Sequence, residues 1–159
     1  MKPVKFLVIG DPHGSEKLLK LDMRGYDAAI VTGDMGKSDI MRKMAWGNLK
    51  HNKKNMHEMY AEYVSSALPV LRHLSSIPCF CIRGNTELSD RDIRDVNKKY
   101  KFRIPLFESE LAKMGGLIFL DHAMAKFRGL KMAGIGHFME TGWVQEFSDG
   151  KIDKMILAA

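Results

Sequence analysis

The sequence has few cysteines and no long apolar run. Cys79 and Cys81 are two positions apart, so on a strand they point to one face, where a disulfide between them would be strained. We therefore expect free, buried thiols in a reducing cytoplasm. Charged residues interrupt every apolar stretch before the roughly 18 residues that a membrane span needs. Asp11, Pro12 and His13 stand where a signal peptide would need its cleavage site, so we expect a cytoplasmic protein without a membrane partner.

Length and composition indicate one folded domain over residues 1–159. The chain is 45% hydrophobic and 28% charged, which excludes a disordered or low-complexity protein. A net charge of +6 favours anionic partners. However, the basic residues are scattered and do not alternate with aromatic ones, so the charge predicts tolerance of phosphate rather than a dedicated nucleic-acid surface.

Three short apolar segments predict buried strands, over residues 4–9, 28–32 and 79–82. Helical patterns separate them, which is typical of βαβ units and a parallel sheet, and therefore of an α/β fold. We predict a helix over residues 16–23 capped by Ser15, and two helices within residues 37–76 that are interrupted at 47–55.

Further features of the chain complete the predicted order of elements. Pro69 is expected to kink the second of the two helices. A helix is expected from Ser89 or Asp90 to Tyr100. The strand patterns at 116–120 and 130–135 predict a hairpin or meander, and a weak helical pattern follows near the end.

Each of the three predicted parallel strands is followed by a residue that can bind a metal ion. Asp11 and His13 follow the first strand, Asp34 follows the second and Asn85 follows the third. Because the carboxyl ends of parallel strands meet at one edge of the sheet, we expect these side chains to converge. Carboxylate, imidazole and amide groups suit Mn²⁺, Fe or Zn²⁺. The alternative, that each is only a turn or cap residue, does not explain why all three strands end in this way.

The segments Asp11-Pro12-His13-Gly14, Gly33-Asp34-Met35-Gly36-Lys37 and Gly84-Asn85-Thr86-Glu87 resemble the first three sequence blocks of the calcineurin-like metallophosphoesterases. The resemblance implies an α/β/β/α sandwich with two divalent metal ions, Mn²⁺ first and Fe, Zn²⁺ or Ni²⁺ as alternatives. It also assigns roles to single residues. Asp11 and His13 would bind the first metal, Asn85 the second, and Asp34 would bridge both.

The activity implied by this resemblance is hydrolysis of a phosphomonoester or phosphodiester by a metal-bridging hydroxide, with metals about 3.5 Å apart. Asp34 and Glu87 would be its catalytic acidic residues, and Lys37 and Arg83 could add positive charge towards the phosphate. The substrate would be a phosphorylated small molecule, a nucleotide or a nucleic acid.

The sequence departs from the family pattern in two places. Thr86 occupies the position of a family histidine, and its hydroxyl cannot act as a cationic acid. Downstream, where the family has three more histidines, the chain offers only His122 and His137, with Met139 in the place of the last one. The second sheet is therefore expected to be truncated, leaving an apolar face and an open edge at residues 116–135.

These departures leave several interpretations open. The chain could be completed by another polypeptide or by a second copy, it could use different ligands, or it could be a degenerate domain that binds without turnover. A further alternative is a nucleotide-binding or receiver-like domain in which Asp11 and Asp34 hold one Mg²⁺. That alternative lacks a glycine-rich phosphate loop and leaves Asn85 unexplained.

Overall fold

Four parallel strands form the central sheet of the computed structural model, which describes residues 2–121 and 123–136. Their order in space is their order in the chain: β1 (Phe6–Gly10), β2 (Ala28–Thr32), β3 (Cys79–Ile82) and β4 (Leu117–Phe119). The first three strands were expected from their apolar runs, and the predicted α/β fold is confirmed. His122, His137, Met139 and the helix predicted near the end lie outside the described residues.

Helices cover one face of this sheet. They are α1 (Asp39–Ala45), α2 (Lys53–Leu74), α3 (Asp90–Tyr100) and α4 (Phe107–Leu111). The apolar stripe of α2 packs into the core through side chains such as Tyr63, Leu71 and Leu74, all of them fully buried. The predicted pair of helices is thus confirmed, while α4 was not predicted. None of the described helices combines the length and apolarity that a membrane span requires.

One helix prediction differs from the structure. Residues 16–23 do not form one helix capped by Ser15. They form a 3₁₀ helix at Glu16–Lys20, which has no buried residue, and part of another at Met23–Gly25. So little apolar burial does not sustain an α-helix. The helix α2 continues through Pro69, because burial of the residues on both sides offsets the lost hydrogen bond, and the kink expected at Pro69 stays a prediction.

The expected hairpin between residues 116–120 and 130–135 is also wrong. Residues 117–119 instead extend the parallel sheet as β4, next to β3. The helices α3 and α4 lie between β3 and β4 in the chain, and such a crossover is what a parallel pairing needs. The hairpin consists of β5 (Met124–Phe127), which was not predicted, and β6 (Leu130–Ala133).

The second face of the parallel sheet is only partly covered. Phe80 and Leu120 are buried there and pack against side chains of the hairpin, among them Phe127. Towards the sheet edges Val8 is 64% exposed and Ile118 is 37% exposed. Within the core Cys79 and Cys81 are free and buried with their Sγ atoms 3.7 Å apart, as predicted.

A buried carboxylate joins α3 to α4. Asp90 is 5% exposed and accepts hydrogen bonds from the Glu108 amide (2.7 Å), the Ser109 amide (3.2 Å) and the Ser109 hydroxyl (2.6 Å). The Glu108 side chain in turn pairs with Arg83, 3.0 Å away, at the end of β3. Asp90 therefore anchors both helices beside the loop that follows β3.

We predict that Asp90→Ala lowers the free energy of unfolding by about 3 kcal/mol, since it removes several hydrogen bonds to a charged group and leaves their donors unpaired. Urea denaturation measures this change. Asp95→Ala, at an exposed position of the same helix, is the matched control and should change stability by less than about 0.5 kcal/mol. Equal effects of the two substitutions would contradict this role of Asp90.

Candidate metal centre

The loops that follow β1, β2 and β3 lie side by side. The strands end level with one another, because Gly10 pairs with Thr32 and Thr32 pairs with Ile82. The backbone amide of His13 donates to the carbonyl of Asp34 at 2.9 Å, which ties the first loop to the second. The topology therefore brings together three loops that are far apart in the sequence.

Asp34 is the residue that the other loops contact. Its Oδ1 atom accepts hydrogen bonds from the backbone amides of Asn85 (3.1 Å) and Thr86 (3.3 Å). Its Oδ2 atom lies 3.8 Å from Nε2 of His13. The carboxylate is thus held by the third loop through one oxygen and faces the first loop through the other.

The other two predicted ligands are placed differently. Asn85 is half-buried and contacts Asp34 through its backbone, and its side-chain amide makes no hydrogen bond with the described residues. Asp11 is exposed, and its carboxylate makes no hydrogen bond or ion pair within the described part of the chain. The structure thus brings His13, Asp34 and the Asn85 backbone together and leaves Asp11 at the rim.

Backbone strain is concentrated in these loops. Asp11, His13 and Asp34 have φ angles of 42°, 43° and 44°, in the left-handed region that residues with a Cβ rarely adopt. Among residues 2–121 and 123–136, only two other non-glycine residues have a positive φ. Such strain typically collects at functional sites. The three predicted ligands of the first two loops are therefore held in costly conformations.

Gly84 allows the third loop to approach Asp34. A Cβ atom on Gly84 would clash with Oδ1 of Asp34 and lie 2.5 Å from the Asp34 backbone nitrogen. Gly33 meets the same loop from the other side, since a Cβ there would lie 2.6 Å from Cα of Gly84. The bonds from the third loop to Asp34 therefore depend on the absence of a side chain at position 84.

Glu87 is a second acidic residue close to Asp34, since both carboxylates lie next to Gly84. Its Oε1 accepts hydrogen bonds from the Met35 amide (2.8 Å) and the Tyr63 hydroxyl (3.2 Å), while its buried Oε2 has no hydrogen-bond partner among the described residues. It also lines a cavity of about 160 Å³ whose walls include the apolar side chains of Leu88 and Phe107. Burial, with a further contribution from the nearby Asp34 charge, raises the pKa of Glu87 from 4.5 to about 7.

The structure reveals a basic residue that the sequence analysis missed. Nη2 of Arg42, on α1, lies 3.2 Å from Nε2 of His13. Because a guanidinium group can only donate, His13 Nε2 is the acceptor in this contact. Arg42 is exposed on α1, and nothing in the sequence indicated its contact with His13.

Of the two basic residues expected near the phosphate, Arg83 is paired away from Asp34, and Lys37 makes no side-chain hydrogen bond or ion pair with the described residues. Arg83 lies 3.0 Å from Glu108 and 3.3 Å from Asp121, and its guanidinium stacks over Phe119. The backbone amide of Lys37 donates to the hydroxyl of Ser66. Among the described residues, Arg42 is thus the cation that contacts a predicted metal ligand.

The residues of the site fit a metal ion in part. Two atoms that each bind a metal at about 2.1 Å can be no more than about 4.2 Å apart, and the 3.8 Å between His13 Nε2 and Asp34 Oδ2 meets this limit. However, no group of three His, Cys, Asp or Glu side chains within the described residues is arranged to hold an ion. A complete shell would need Asp11 or Asn85 to turn inward.

Comparisons with known proteins show a similarity of fold only. No family model and no curated protein matches the chain. A crystal structure matches 98% of it with a TM-score of 0.61 and 15% sequence identity. The match spans 63% of the length of that chain, so this chain covers less than two thirds of its structural relative. At such low identity the likeness establishes the α/β fold alone.

We predict that Gly84→Ala destabilises the protein by at least about 2 kcal/mol, since overpacking against backbone forces the loop away from Asp34. It should also weaken binding of Mn²⁺, measured by calorimetry. Gly115→Ala is the matched control, because a Cβ there would meet no atom within 4 Å. Unchanged stability in Gly84→Ala would show that the loop does not depend on this contact.

We also predict a pH dependence of stability in the metal-free protein. The folded state raises the pKa of Glu87 to about 7, so folding favours the protonated form. Its stabilising effect is full below pH 4.5 and is lost as the pH rises to about 7, by about 3 kcal/mol in all. Glu87→Gln should remove this slope, measured by urea unfolding in EDTA across that range. Exposed Glu58→Gln is the control, and parallel curves for the wild type and Glu87→Gln would refute the prediction.

Proposed function

We propose that the protein is a metal-dependent phosphoesterase that hydrolyses a phosphomonoester or a phosphodiester. One observation carries the proposal: the Asp34 carboxylate is held by the amides of Asn85 and Thr86 through one oxygen and faces His13 with the other. The loops of three adjacent parallel strands thus converge on one carboxylate, which is the arrangement that the resemblance to the metallophosphoesterases leads one to expect.

The metal would be held first by His13 Nε2 and Asp34 Oδ2, with Asp11 and the Asn85 side chain completing the shell. Mn²⁺ suits this mixture of oxygen and nitrogen ligands, as do Fe, Zn²⁺ and Ni²⁺. When bound, divalent ions supply Lewis-acid polarisation of the phosphoryl group and lower the pKa of water. Asp34, located between the first and third loops, is the residue that would bridge two ions.

Other residues of the site would handle protons. Glu87, with its pKa raised to about 7, holds a proton on a fraction of molecules near neutral pH. The hydroxyl of Thr86 is buried and has no hydrogen-bond partner among the described residues, so it is available as a donor. These two residues together would take the place of the histidine that the family has at position 86.

The hairpin fits the beginning of the second sheet of an α/β/β/α sandwich. It packs through Phe127 on Phe80 of the parallel sheet and leaves Val8 and Ile118 exposed on the same face. A second sheet, whether from this polypeptide, a second copy or a complementing chain, would bury this apolar surface. This part of the proposal concerns architecture and is independent of turnover.

A second candidate function is binding of a phosphorylated ligand without turnover. Two observations favour it. Arg42 contacts the nitrogen of His13 that a metal would need, and the Asp11 carboxylate makes no hydrogen bond or ion pair within the described residues. Both candidates require an anion at the same edge of the sheet, so turnover is the property that separates them.

We predict Mn²⁺-dependent hydrolysis of bis(p-nitrophenyl) phosphate, abolished by EDTA. Asp34→Asn should lower kcat/KM at least about a hundredfold, because it removes several kcal/mol of transition-state stabilisation. Release of p-nitrophenolate measures the rate. Asp95→Asn, at an exposed position on α3, is the matched control and should retain full activity.

The outcomes separate the two functions. Absence of turnover at saturating Mn²⁺, in protein that still binds inorganic phosphate, would contradict the phosphoesterase and favour the binding module. Turnover that persists unchanged in Asp34→Asn would assign the activity to another site or to a contaminant.

A further inference from the structure

The exposed face of α1 presents a cation and a large aromatic side chain one helical turn apart. Arg42 and Trp46 are four positions apart, and the amide of Trp46 donates to the Arg42 carbonyl at 2.9 Å. Side chains at this spacing are neighbours on one face, with Cβ atoms about 6 Å apart. The opposite face, with Met41 and Met44, is buried in the core. The helix therefore directs both residues away from the core.

Arg42 places this face beside the candidate metal centre. Its guanidinium lies 3.2 Å from His13 Nε2, which in turn is 3.8 Å from Asp34. With His13 Nε2 committed to a metal, the Arg42 guanidinium would be able to donate to a phosphate oxygen bound at the same edge of the sheet. Guanidinium groups suit phosphate oxygens because they form paired, charge-assisted hydrogen bonds.

Trp46 is unusual in its exposure. It is 73% exposed, the highest value among the exposed large hydrophobic residues of the described chain. Tryptophan is highly buried on average, and exposed aromatic side chains beside a cation are typical of binding surfaces. An indole offers a flat face on which a nucleobase can stack irrespective of its sequence. The neighbouring Lys43 adds positive charge on the same exposed side of the helix.

We propose that this face binds the nucleoside part of the ligand: Arg42 contacts the phosphate and Trp46 stacks on the base, so the substrate class is a nucleotide or a nucleotide ester. This inference rests on the proposed function for the position of the phosphoryl group. It makes α1 the specificity element of the site. Within the nucleotide class, stacking alone would not select one base over another.

Binding of two ligands, AMP and ribose 5-phosphate, tests the inference without relying on activity. The chain has two tryptophans, Trp46 and Trp143, so a Trp143→Phe variant leaves Trp46 as the only indole. AMP should quench its fluorescence in the presence of Mn²⁺, whereas ribose 5-phosphate, which lacks the base, should not. AMP should also bind about tenfold more tightly than ribose 5-phosphate, because stacking on one aromatic side chain has an effect of this size.

Variants then assign the two contacts by calorimetry. Trp46→Ala should weaken AMP binding about tenfold and leave ribose 5-phosphate binding unchanged. Arg42→Ala should weaken both ligands by similar factors, and Lys98→Ala, at an exposed basic position on α3, should weaken neither. Equal affinities for AMP and ribose 5-phosphate, or an unchanged AMP affinity in Trp46→Ala, would overturn the inference.

Kinetics distinguish this inference from the proposed function. The p-nitrophenyl ester of thymidine 5′-phosphate and methyl p-nitrophenyl phosphate share a leaving group and differ in the nucleoside. Trp46→Ala should raise KM about tenfold for the first ester only. Tryptophan-dependent AMP binding without turnover of either ester would refute the phosphoesterase and uphold the nucleotide surface. Turnover of both esters with equal sensitivity to Trp46→Ala would refute the nucleotide surface and uphold the phosphoesterase.

Discussion

The hydrogen bonds from two backbone amides to one oxygen of Asp34 are the interaction on which the site depends. They hold the loop after β3 against the loop after β2. The hydrogen bond from the His13 amide to the Asp34 carbonyl holds the loop after β1 against the loop after β2 as well. An ionised carboxylate is a strong acceptor for such amides, so the loops are joined by charge-assisted bonds. The positive φ of Asp34 and the glycine at position 84 are what this convergence requires, since a different backbone or a side chain there would separate the loops.

The same convergence brings two acidic residues close together. Asp34 faces His13 and accepts bonds from two amides of the third loop, whereas Glu87 accepts bonds from the Met35 amide and the Tyr63 hydroxyl and has one oxygen without a partner among the described residues. Burial, with a further contribution from the nearby Asp34 charge, raises the pKa of Glu87 to about 7. An acidic residue with a pKa in this range is suited to acid–base chemistry near neutral pH.

The parts of this structure that local patterns determine were predictable. Residues 28–32 and 79–82 are strands as predicted, because short apolar runs between helices form parallel sheets, and α3 begins after Ser89, whose side chain caps it. The position of β4 was not predictable from its own residues, since Leu117–Phe119 fits a hairpin as well as a parallel strand and the intervening helices decide. Within the site, residue types and strand ends indicated Asp34 and its neighbours. The exposed placement of Asp11 and the contact of Arg42 with His13 depend on loop conformation and helix orientation, which the sequence pattern does not encode.

The contact between Arg42 and His13 competes with a metal ion for the Nε2 atom, but breaking it costs little. Because the guanidinium can only donate, the contact uses the Nε2 electron pair that a metal would also bind. Displacing Arg42, which is exposed, would cost about 1 kcal/mol, the usual net contribution of a single hydrogen bond. Protein ligands bind divalent metals far more strongly than this when the shell is complete, about 10 kcal/mol or more in structural zinc sites. Whether a metal binds therefore depends on the free-energy cost of turning the Asp11 and Asn85 side chains towards it. Neither side chain has a hydrogen bond to break within the described part of the chain.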